Sequence, residues 1–213
     1  MSKKQMFVAK GFSPWFNTCW VEKNKVTNID ESIPSQATVA CEGLANMNSM
    51  FYDRYNLTAL DLSNFDTSNV TDMSDLFFYC DNLTVLDLSS FNTSNVTNMN
   101  NMFANCDNLT TLDISGFDTS NVKDMNSMFF YCSNLTELDL SNFDTSNVTD
   151  MDSMFYNCCS LTTIKGIIDM KSCEDCGNMF EKCPRLRDVK IKNPPSDFEA
   201  ISGLSKSQYT VVS

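Results

Sequence analysis

Residues 60–70 read LDLSNFDTSNV, and nearly the same eleven residues return three more times along the chain. The copies are 26 residues apart and open on Leu60, Leu86, Leu112 and Leu138. A fixed period of about 20–50 residues is typical of a solenoid, in which each repeat buries its apolar face against its neighbours. The sequence therefore predicts a stack of similar coils.

The repeat continues in weaker form on both sides of these four copies. Met47 and Leu57 lie 26 residues before Met73 and Leu83, and Ile164 opens a further unit downstream. Terminal coils need caps, because the open ends of the core would otherwise face water. We therefore predict an N-terminal cap over residues 1–40, a solenoid of about six coils over 41–189, and a C-terminal cap over 190–213 that ends in a strand.

Within one coil, the pattern predicts several short elements. Residues 86–89 alternate apolar and polar side chains, as a half-buried strand requires. An Asn-Thr-Ser turn follows, and then a second short extended segment that begins at Val96. Met102, Phe103, Cys106 and Leu109 have spacings that fit a short helix with one buried face. The predicted fold class is an α/β repeat, a leucine-rich-repeat-like solenoid with one parallel strand, turns and a short helix per coil.

The full repeat, LDLSxFDTSNVTxMxxMFxxCxxLT, resembles the BspA-like leucine-rich repeats of bacterial surface proteins. The resemblance covers residues 40–190 and matches four copies at nearly every position. It implies a cell-surface adhesin or lipoprotein that binds host proteins or other cells and has no catalytic residues.

The N-terminal residues differ from those of exported family members. Residues 5–20 contain no uninterrupted apolar segment and no clear cleavage site, so we recognise no signal peptide. The localisation therefore stays open between the cell surface or extracellular space, which the resemblance implies, and a virion.

Composition argues against several classes of function. The net charge of −12 disfavours nucleic acid and anionic membranes as partners, since such binding depends on clustered Lys and Arg. The chain has no histidine, which removes the common nucleophile triads and histidine-based metal centres. It also has no stretch of 18 apolar residues that could insert into a membrane. We expect no enzyme activity, no catalytic residues, no cofactor and no resident metal.

The ten cysteines fall into two groups. One group repeats at the same slot of successive coils and predicts an interior ladder of free thiols, each packing as a small hydrophobe; its members are Cys80, Cys106, Cys132, Cys158 and Cys183. The second group is the CxxC motif formed by Cys173 and Cys176, which could hold zinc together with nearby thiols. Alignment of the coils favours packing instead, because these cysteines occupy the core slots of Val148 and Met151.

Three polar columns follow from the alignment of the coils. Two of them accept either Asp or Asn, as Asn92 and Asn98 show, so an acceptor oxygen for the backbone of a turn is needed there. The third is always Asn, at residues 69, 95, 121 and 147, and predicts a buried amide ladder that bonds the turn backbone.

The aspartate of the strand never changes to Asn in the regular coils. These candidate partner-binding residues, here called the strand row, are Asp61, Asp87, Asp113 and Asp139. Stacked carboxylates repel one another, so hydrogen bonds from Ser and Thr hydroxyls, a shared calcium ion or a cationic partner should offset the repulsion.

A second candidate surface lies at the two slots that follow the conserved core Phe of each coil. These slots vary while their neighbours do not, and several hold large aromatic residues: Phe78, Tyr79, Phe130, Tyr131 and Tyr156. Exposed contiguous aromatics favour an interaction site. The alternative is that they simply lean against adjacent coils.

Two classes of function remain. In the first, the chain is a non-enzymatic protein-binding or adhesion module that presents its repeat surface to a protein or cell-surface partner. In the second, it is a structural or receptor-binding decoration component of a phage virion, which needs no signal peptide. Contacts between copies of the chain, as in a homo-oligomer, are compatible with both.

Overall fold

The structure, a computed structural model, describes residues 19–21, 36–41 and 45–213 of the chain. Most of the predicted N-terminal cap, including Trp15, lies outside the described residues. The strands are β1 (Cys19–Val21), β2 (Gln36–Cys41), β3 (Ala59–Phe65), β4 (Val85–Asp87), β5 (Thr111–Asp113), β6 (Glu137–Asp139), β7 (Thr163–Lys165), β8 (Ile168–Asp169), β9 (Val189–Lys192) and β10 (Tyr209–Val211). One short helix, α1 (Phe198–Ile201), lies between β9 and β10.

Parallel strands from successive coils stack on one another, which confirms the predicted solenoid. Strands β2 to β5 form one sheet with β1 antiparallel at its edge, β6 pairs with β7, and β8, β9 and β10 form a third sheet. In the first sheet, Leu86 lies opposite Leu112 and Asp87 lies opposite Asp113. Equivalent residues therefore stack in columns along the solenoid axis.

A second, thinner ladder runs along another side of the coils. It consists of one parallel bridge per coil and passes through Asn46, Asp72, Asn98, Asp124, Asp150 and Asp175. Val96 and Met99 flank this bridge and are fully buried, as the second extended segment predicts. The coil is thus joined to its neighbours on two sides.

The short helix predicted for each coil is wrong. Its residues form successive turns, in which Met102 N donates to Met99 O at 3.2 Å and Asn101 N donates to Asn126 O of the next coil at 2.9 Å. Asn101 and Asn105 have φ values of 53° and 57°, a left-handed conformation that ends any right-handed helix. The apolar spacing misleads because successive turns also bring residues three apart onto one face.

The core contains a continuous stack of phenylalanine rings, one from each coil. Neighbouring ring centroids lie between 5.2 and 5.7 Å apart, and the rings are within 10° of parallel. The stack consists of Phe51, Phe77, Phe103, Phe129, Phe155 and Phe180. Offset aromatic contacts add about 0.5–1.5 kcal/mol per pair to the burial itself, so this stack contributes strongly to the joining of coils.

The predicted cysteine ladder is confirmed, since all five of its thiols are buried and free. Each thiol also acts as a donor: Cys106 Sγ donates to Phe77 O at 3.2 Å, and Cys132 Sγ donates to Phe103 O at 3.2 Å. Burial raises the pKa of Cys132 to about 12. Burial raises the pKa of Cys80, Cys106 and Cys158 as well, whereas a hydrogen bond with Cys158 lowers that of Cys183. The ladder thiols pack in the core and bond the backbone of the preceding coil.

The CxxC cysteines lie in the weaker coil that opens at Ile164. Cys176 is buried, whereas Cys173 is partly exposed and donates from Sγ to Asp175 O at 3.1 Å. In the part of the chain that the structure describes, no group of three or more His, Cys, Asp or Glu side chains could hold a metal ion together.

A column of buried threonines joins the coils where each strand turns away. Thr93 Oγ1 donates to Asp118 O at 2.9 Å and accepts from Asp118 N at 2.8 Å. The same slot holds Thr67, Thr119 and Thr145, all buried. One hydroxyl thus satisfies both backbone groups of a residue in the next coil.

The C-terminal residues cover the last coil. Phe180 N donates to Ser202 O at 2.7 Å, and β10 pairs in parallel with β9. Gly203 turns the chain there with φ of 80°, and a Cβ at this position would lie 2.6 Å from the Glu181 Cα. Only glycine suits so close an approach of two backbones.

Candidate functional site

The strand-row carboxylates are exposed, and their own serines hold them. Asp87 Oδ1 accepts from Ser89 N at 3.0 Å and from Ser89 Oγ at 2.7 Å. The serine hydroxyl and the serine N–H lower the pKa of Asp87, in that order, and outweigh the opposing effect of the Asp61 charge. Asp139 is bound to Ser141 in the same way. Hydrogen bonding to serine thus offsets the repulsion, as one of the predicted alternatives requires.

Strand pairing along the strand row is interrupted, although the charge of Asp61 still acts on Asp87. Asp87 lies opposite Asp113, but β5 and β6 belong to different sheets. Asp139 lies opposite Lys165, whose Nζ is 4.0 Å from the Asp139 carboxylate and 3.9 Å from that of Glu137. Strands β3 and β4 pair only at Ala59 and Val85, before Asp61. The strand row thus combines local Asp-Ser pairs with like charges on neighbouring coils.

The two Asp/Asn columns bond turn backbone, as predicted. Asn92 Oδ1 accepts from Ser94 N at 3.1 Å, and Asp124 Oδ1 accepts from Asn126 N at 2.9 Å. The Asn column also bonds turn backbone, since Asn121 Nδ2 donates to Ser94 O of the preceding coil at 2.8 Å. Its side chains are exposed, however, so the prediction of a buried amide ladder is wrong. The amide reaches along the outside of the turn instead.

The second candidate surface is a pair of adjacent columns at the rim of the coils, here called the aromatic column. Its first slot holds Tyr52, Phe78, Ala104, Phe130, Tyr156 and Glu181, and its second slot holds Asp53, Tyr79, Asn105, Tyr131, Asn157 and Lys182. Tyr52 and Tyr79 have exposed fractions of 43% and 42%, and the other aromatic members are half-buried. The column thus presents large ring surfaces to solvent.

The aromatic residues of this column form two separate clusters. In the first, the ring centroids of Phe78 and Tyr79 are 4.4 Å apart, and Tyr52 lies 5.3 Å from Phe78. Between the clusters, the column holds Ala104 and Asn105. The rings do lean against adjacent coils, as the alternative interpretation requires, but they keep exposed area as well.

The second cluster has the same construction. Phe130 and Tyr131 are 4.6 Å apart, and Tyr156 lies 5.2 Å from Phe130 and 5.8 Å from Tyr131. The structure therefore brings together five of the sequence-predicted residues in two groups.

Tyr79 and Tyr131 occupy the left-handed region of backbone conformation, with φ values of 60° and 59°. Non-glycine residues are uncommon there, and Asn and Asp tolerate the region best. The equivalent slot of neighbouring coils indeed holds Asn105 and Asn157, with φ of 57° and 59°. The fold therefore sets the conformation of this slot, and Tyr is not the residue that suits it best.

A short column of carboxylates lies beside the aromatic column. Asn157, in the second slot of the column, donates from Nδ2 to Ser133 Oγ of the preceding coil at 3.5 Å. The equivalent pair one coil earlier is Tyr131 and Asp107, which places the Asp107 carboxylate beside the Tyr131 ring. Burial and then the charge of Asp81 raise the pKa of Asp107, while burial and then the charge of Asp53 raise the pKa of Asp81. Burial and the like charge of the preceding coil thus act in the same direction on both carboxylates.

At its C-terminal end the aromatic column carries a positive charge. Lys182 Nζ lies over the ring of Tyr156, 4.8 Å from the centroid, and its pKa is raised chiefly by a hydrogen bond with Tyr156. An open cleft of about 560 Å³ adjoins it, lined in part by Cys159, Arg187 and Gln208. Asp81 and Asp107 were not predicted from the sequence, although aligning the slots next to the variable aromatics would have found them; Lys182 lies in one of the variable slots but was not predicted as a site residue.

Among the described residues, no helix is long and apolar enough to cross a membrane.

Comparison with known proteins identifies a family but no individual relative, since no curated protein matches the chain. The sequence model of the family described as "Mycoplasma protein of unknown function, DUF285" matches residues 15–112 and again residues 81–193. The overlap of the two matches reflects the repeat, and together they cover most of the chain. The chain therefore belongs to the DUF285 family of Mycoplasma proteins of unknown function.

Proposed function

We propose that this chain is a non-enzymatic recognition module that binds a protein or cell-surface partner along its aromatic column. The proposal agrees with the resemblance of its repeat to the BspA-like surface proteins. A regular solenoid supplies rows of equivalent side chains, and such rows suit recognition of an extended partner.

The observation that carries the proposal is the backbone conformation of Tyr79 and Tyr131. A bulky residue at positive φ raises the energy of the fold by about 1–3 kcal/mol, and such residues cluster at functional sites. Asn serves the same slot in two other coils with less strain. Two tyrosines kept at this slot, each beside a phenylalanine, indicate that the rings act at the surface. Tyr is also enriched at protein interfaces, where a ring and a hydroxyl are both useful.

The test compares two double variants of the protein in a saturation binding assay on intact animal cells and on surfaces coated with extracellular-matrix proteins. The first variant, Y79N/Y131N, places at each slot a residue that neighbouring coils already use. The matched control, D87N/D113N, alters two exposed residues of the strand row. We expect saturable binding by the wild type and by the control, and loss of binding by Y79N/Y131N.

Three other outcomes count against this proposal. Full binding by Y79N/Y131N would remove the aromatic column from the interface. Loss of binding only in D87N/D113N would move the interface to the strand row. Absence of saturable binding to every surface, together with recovery of the protein in purified phage particles, would favour a decoration protein.

A further inference from the structure

The aromatic column combines three features that point to the charge of its partner. Rings are exposed, carboxylates lie beside them, and the chain's own ammonium group already contacts one ring face. The inference rests on the proposed function, because it concerns the same surface.

The carboxylates beside the rings form a group of like charge. The charge of Asp53 adds to burial in raising the pKa of Asp81, and the charge of Asp81 adds to burial in raising the pKa of Asp107, one coil further on. The Oδ1 atom of Asp81 is buried and has no hydrogen-bond partner among the described residues. In contrast, the strand-row carboxylates are exposed and bonded to serine. An added cation is therefore stabilised more beside the rings, where Asp81 Oδ1 has no hydrogen-bond partner among the described residues, than beside the serine-bonded strand row.

Lys182 shows how a cation sits on these rings. Its ammonium group lies 4.8 Å from the centroid of Tyr156, within the range of about 6 Å for a cation–π contact. The charge of Lys182 also interacts with Tyr131 of the same cluster. Lys182 occupies the second rim slot, the slot of Tyr79 and Tyr131, so the contact arises from ordinary stacking of coils.

The two clusters are spaced for a regular extended segment. Phe78 and Phe130 lie two coils apart. Rings one coil apart in this column have centroids 5.3 Å apart for Tyr52 and Phe78 and 5.2 Å apart for Phe130 and Tyr156, so two coils span about 10.5 Å, within about 1 Å of the polyproline II repeat. In a polyproline II helix, residues three apart point the same way and are separated by about 9.3 Å. A segment with a cationic side chain at every third position would therefore place one on each cluster.

We propose that the aromatic column binds a Lys- or Arg-rich peptide segment in polyproline II conformation, with cationic side chains three residues apart seated on its two aromatic clusters beside Asp81 and Asp107. The net charge of −12 attracts such a segment from a distance. The ring faces and neighbouring carboxylates then set the spacing that is recognised.

The test uses the full chain and synthetic peptides in isothermal titration calorimetry. The first peptide carries Arg at every third position with prolines between, the second has the same composition with its Arg residues consecutive, and the third has Gln in place of Arg. We expect the first to bind at least about threefold to tenfold more tightly than the second, since one ring contact is lost when the spacing is wrong. The Gln peptide should not bind measurably.

Variants separate this contact from general attraction to an acidic protein. D107N and D87N each remove one negative charge, but only Asp107 lies beside a cluster. We expect D107N and Y131N to weaken the spaced Arg peptide, and D87N to leave it unchanged. Equal weakening by D107N and D87N, or equal binding of the two Arg peptides, would overturn the proposal.

A failure here is distinguishable from a failure of the proposed function. If Y79N/Y131N abolishes cell binding while no Arg peptide binds, the recognition role stands and the cationic segment is wrong. Binding of a neutral oligosaccharide such as maltohexaose, lost in Y131N, would likewise replace the peptide by a glycan.

Discussion

Replacing Thr93 by Val tests how neighbouring coils are joined. The side chain of Thr93 is fully buried, and its hydroxyl bonds both the N–H and the carbonyl of Asp118 in the next coil. Valine keeps the shape of the side chain but leaves these two backbone groups without their partner. Each unsatisfied buried group costs about 1–3 kcal/mol, so for the two groups we expect T93V to lower the free energy of unfolding by about 2–6 kcal/mol. That is a large part of the ~5–15 kcal/mol available to a typical domain.

The measurement is urea unfolding followed by far-UV circular dichroism, with two control variants. T93S keeps the hydroxyl and removes a methyl group, which should lower stability by about 1 kcal/mol. T97V removes an exposed hydroxyl bonded at 3.2 Å to Thr71 O. That carbonyl also accepts from Thr97 N at 2.9 Å and stays satisfied, so T97V should change stability by less than about 0.5 kcal/mol. If T93V and T97V have equal effects, the buried hydroxyl does not join the coils and this reasoning is refuted.

Three further predictions concern charge, thiols and packing. D118N should lower stability at pH 7, because hydrogen bonds from serine hold the pKa of Asp118 below 3.8; this deficit should vanish as the pH falls through the lowered pKa. D124N should instead raise stability at pH 7, because burial raises the pKa of Asp124 and the ionised carboxylate is therefore destabilising in the folded state. This gain should vanish below about pH 3.8, where Asp124 is protonated in both states. Urea midpoints at pH 7 and pH 3 check both signs, and equal shifts for the two variants would contradict them. Iodoacetamide should modify the exposed Cys159 in the native protein, but the buried ladder thiols only in denaturant. Peptide mass spectrometry locates the modified cysteines, and labelling of the ladder in the native protein would disprove its burial. F103A should lower the free energy of unfolding by about 3–5 kcal/mol in urea titration, because it empties a slot between two stacked rings, and a loss below about 1 kcal/mol would show that the coils collapse around it.

The solenoid could be predicted from the sequence because repetition carries its own evidence. Four near-identical copies, opening at Leu60, Leu86, Leu112 and Leu138, leave few ways to bury the same apolar slots, and the Cys and turn columns follow directly. The helix could not be excluded in the same way. Whether Asn101 takes a left-handed conformation depends on the backbone bond that it makes to the next coil, and composition alone does not reveal that bond.

The candidate site was partly within reach of the sequence. Variation at the slots of Phe78 and Tyr79 marked the aromatic column, because slots that the fold requires hold the same residue type in every regular coil and these two slots do not. The distribution of the rings into two clusters depends on Ala104, and the neighbouring Asp107 depends on contacts across coils. The Thr93 hydroxyl was overlooked because a buried threonine and an exposed one look alike in a polar turn.

Ala104 and Asn105 separate the two aromatic clusters by one coil, and this separation can change in evolution by a simple genetic event. Because equivalent positions in adjacent coils are 26 residues apart, an in-frame deletion of 26 codons anywhere in the regular coils would rejoin matching slots and leave a shorter, well-formed rod. Loss of the coil that carries Ala104 would halve the distance between the two clusters, whereas duplication would widen it. A lineage could thus alter the reach of this surface by unequal recombination alone, with no new point mutation.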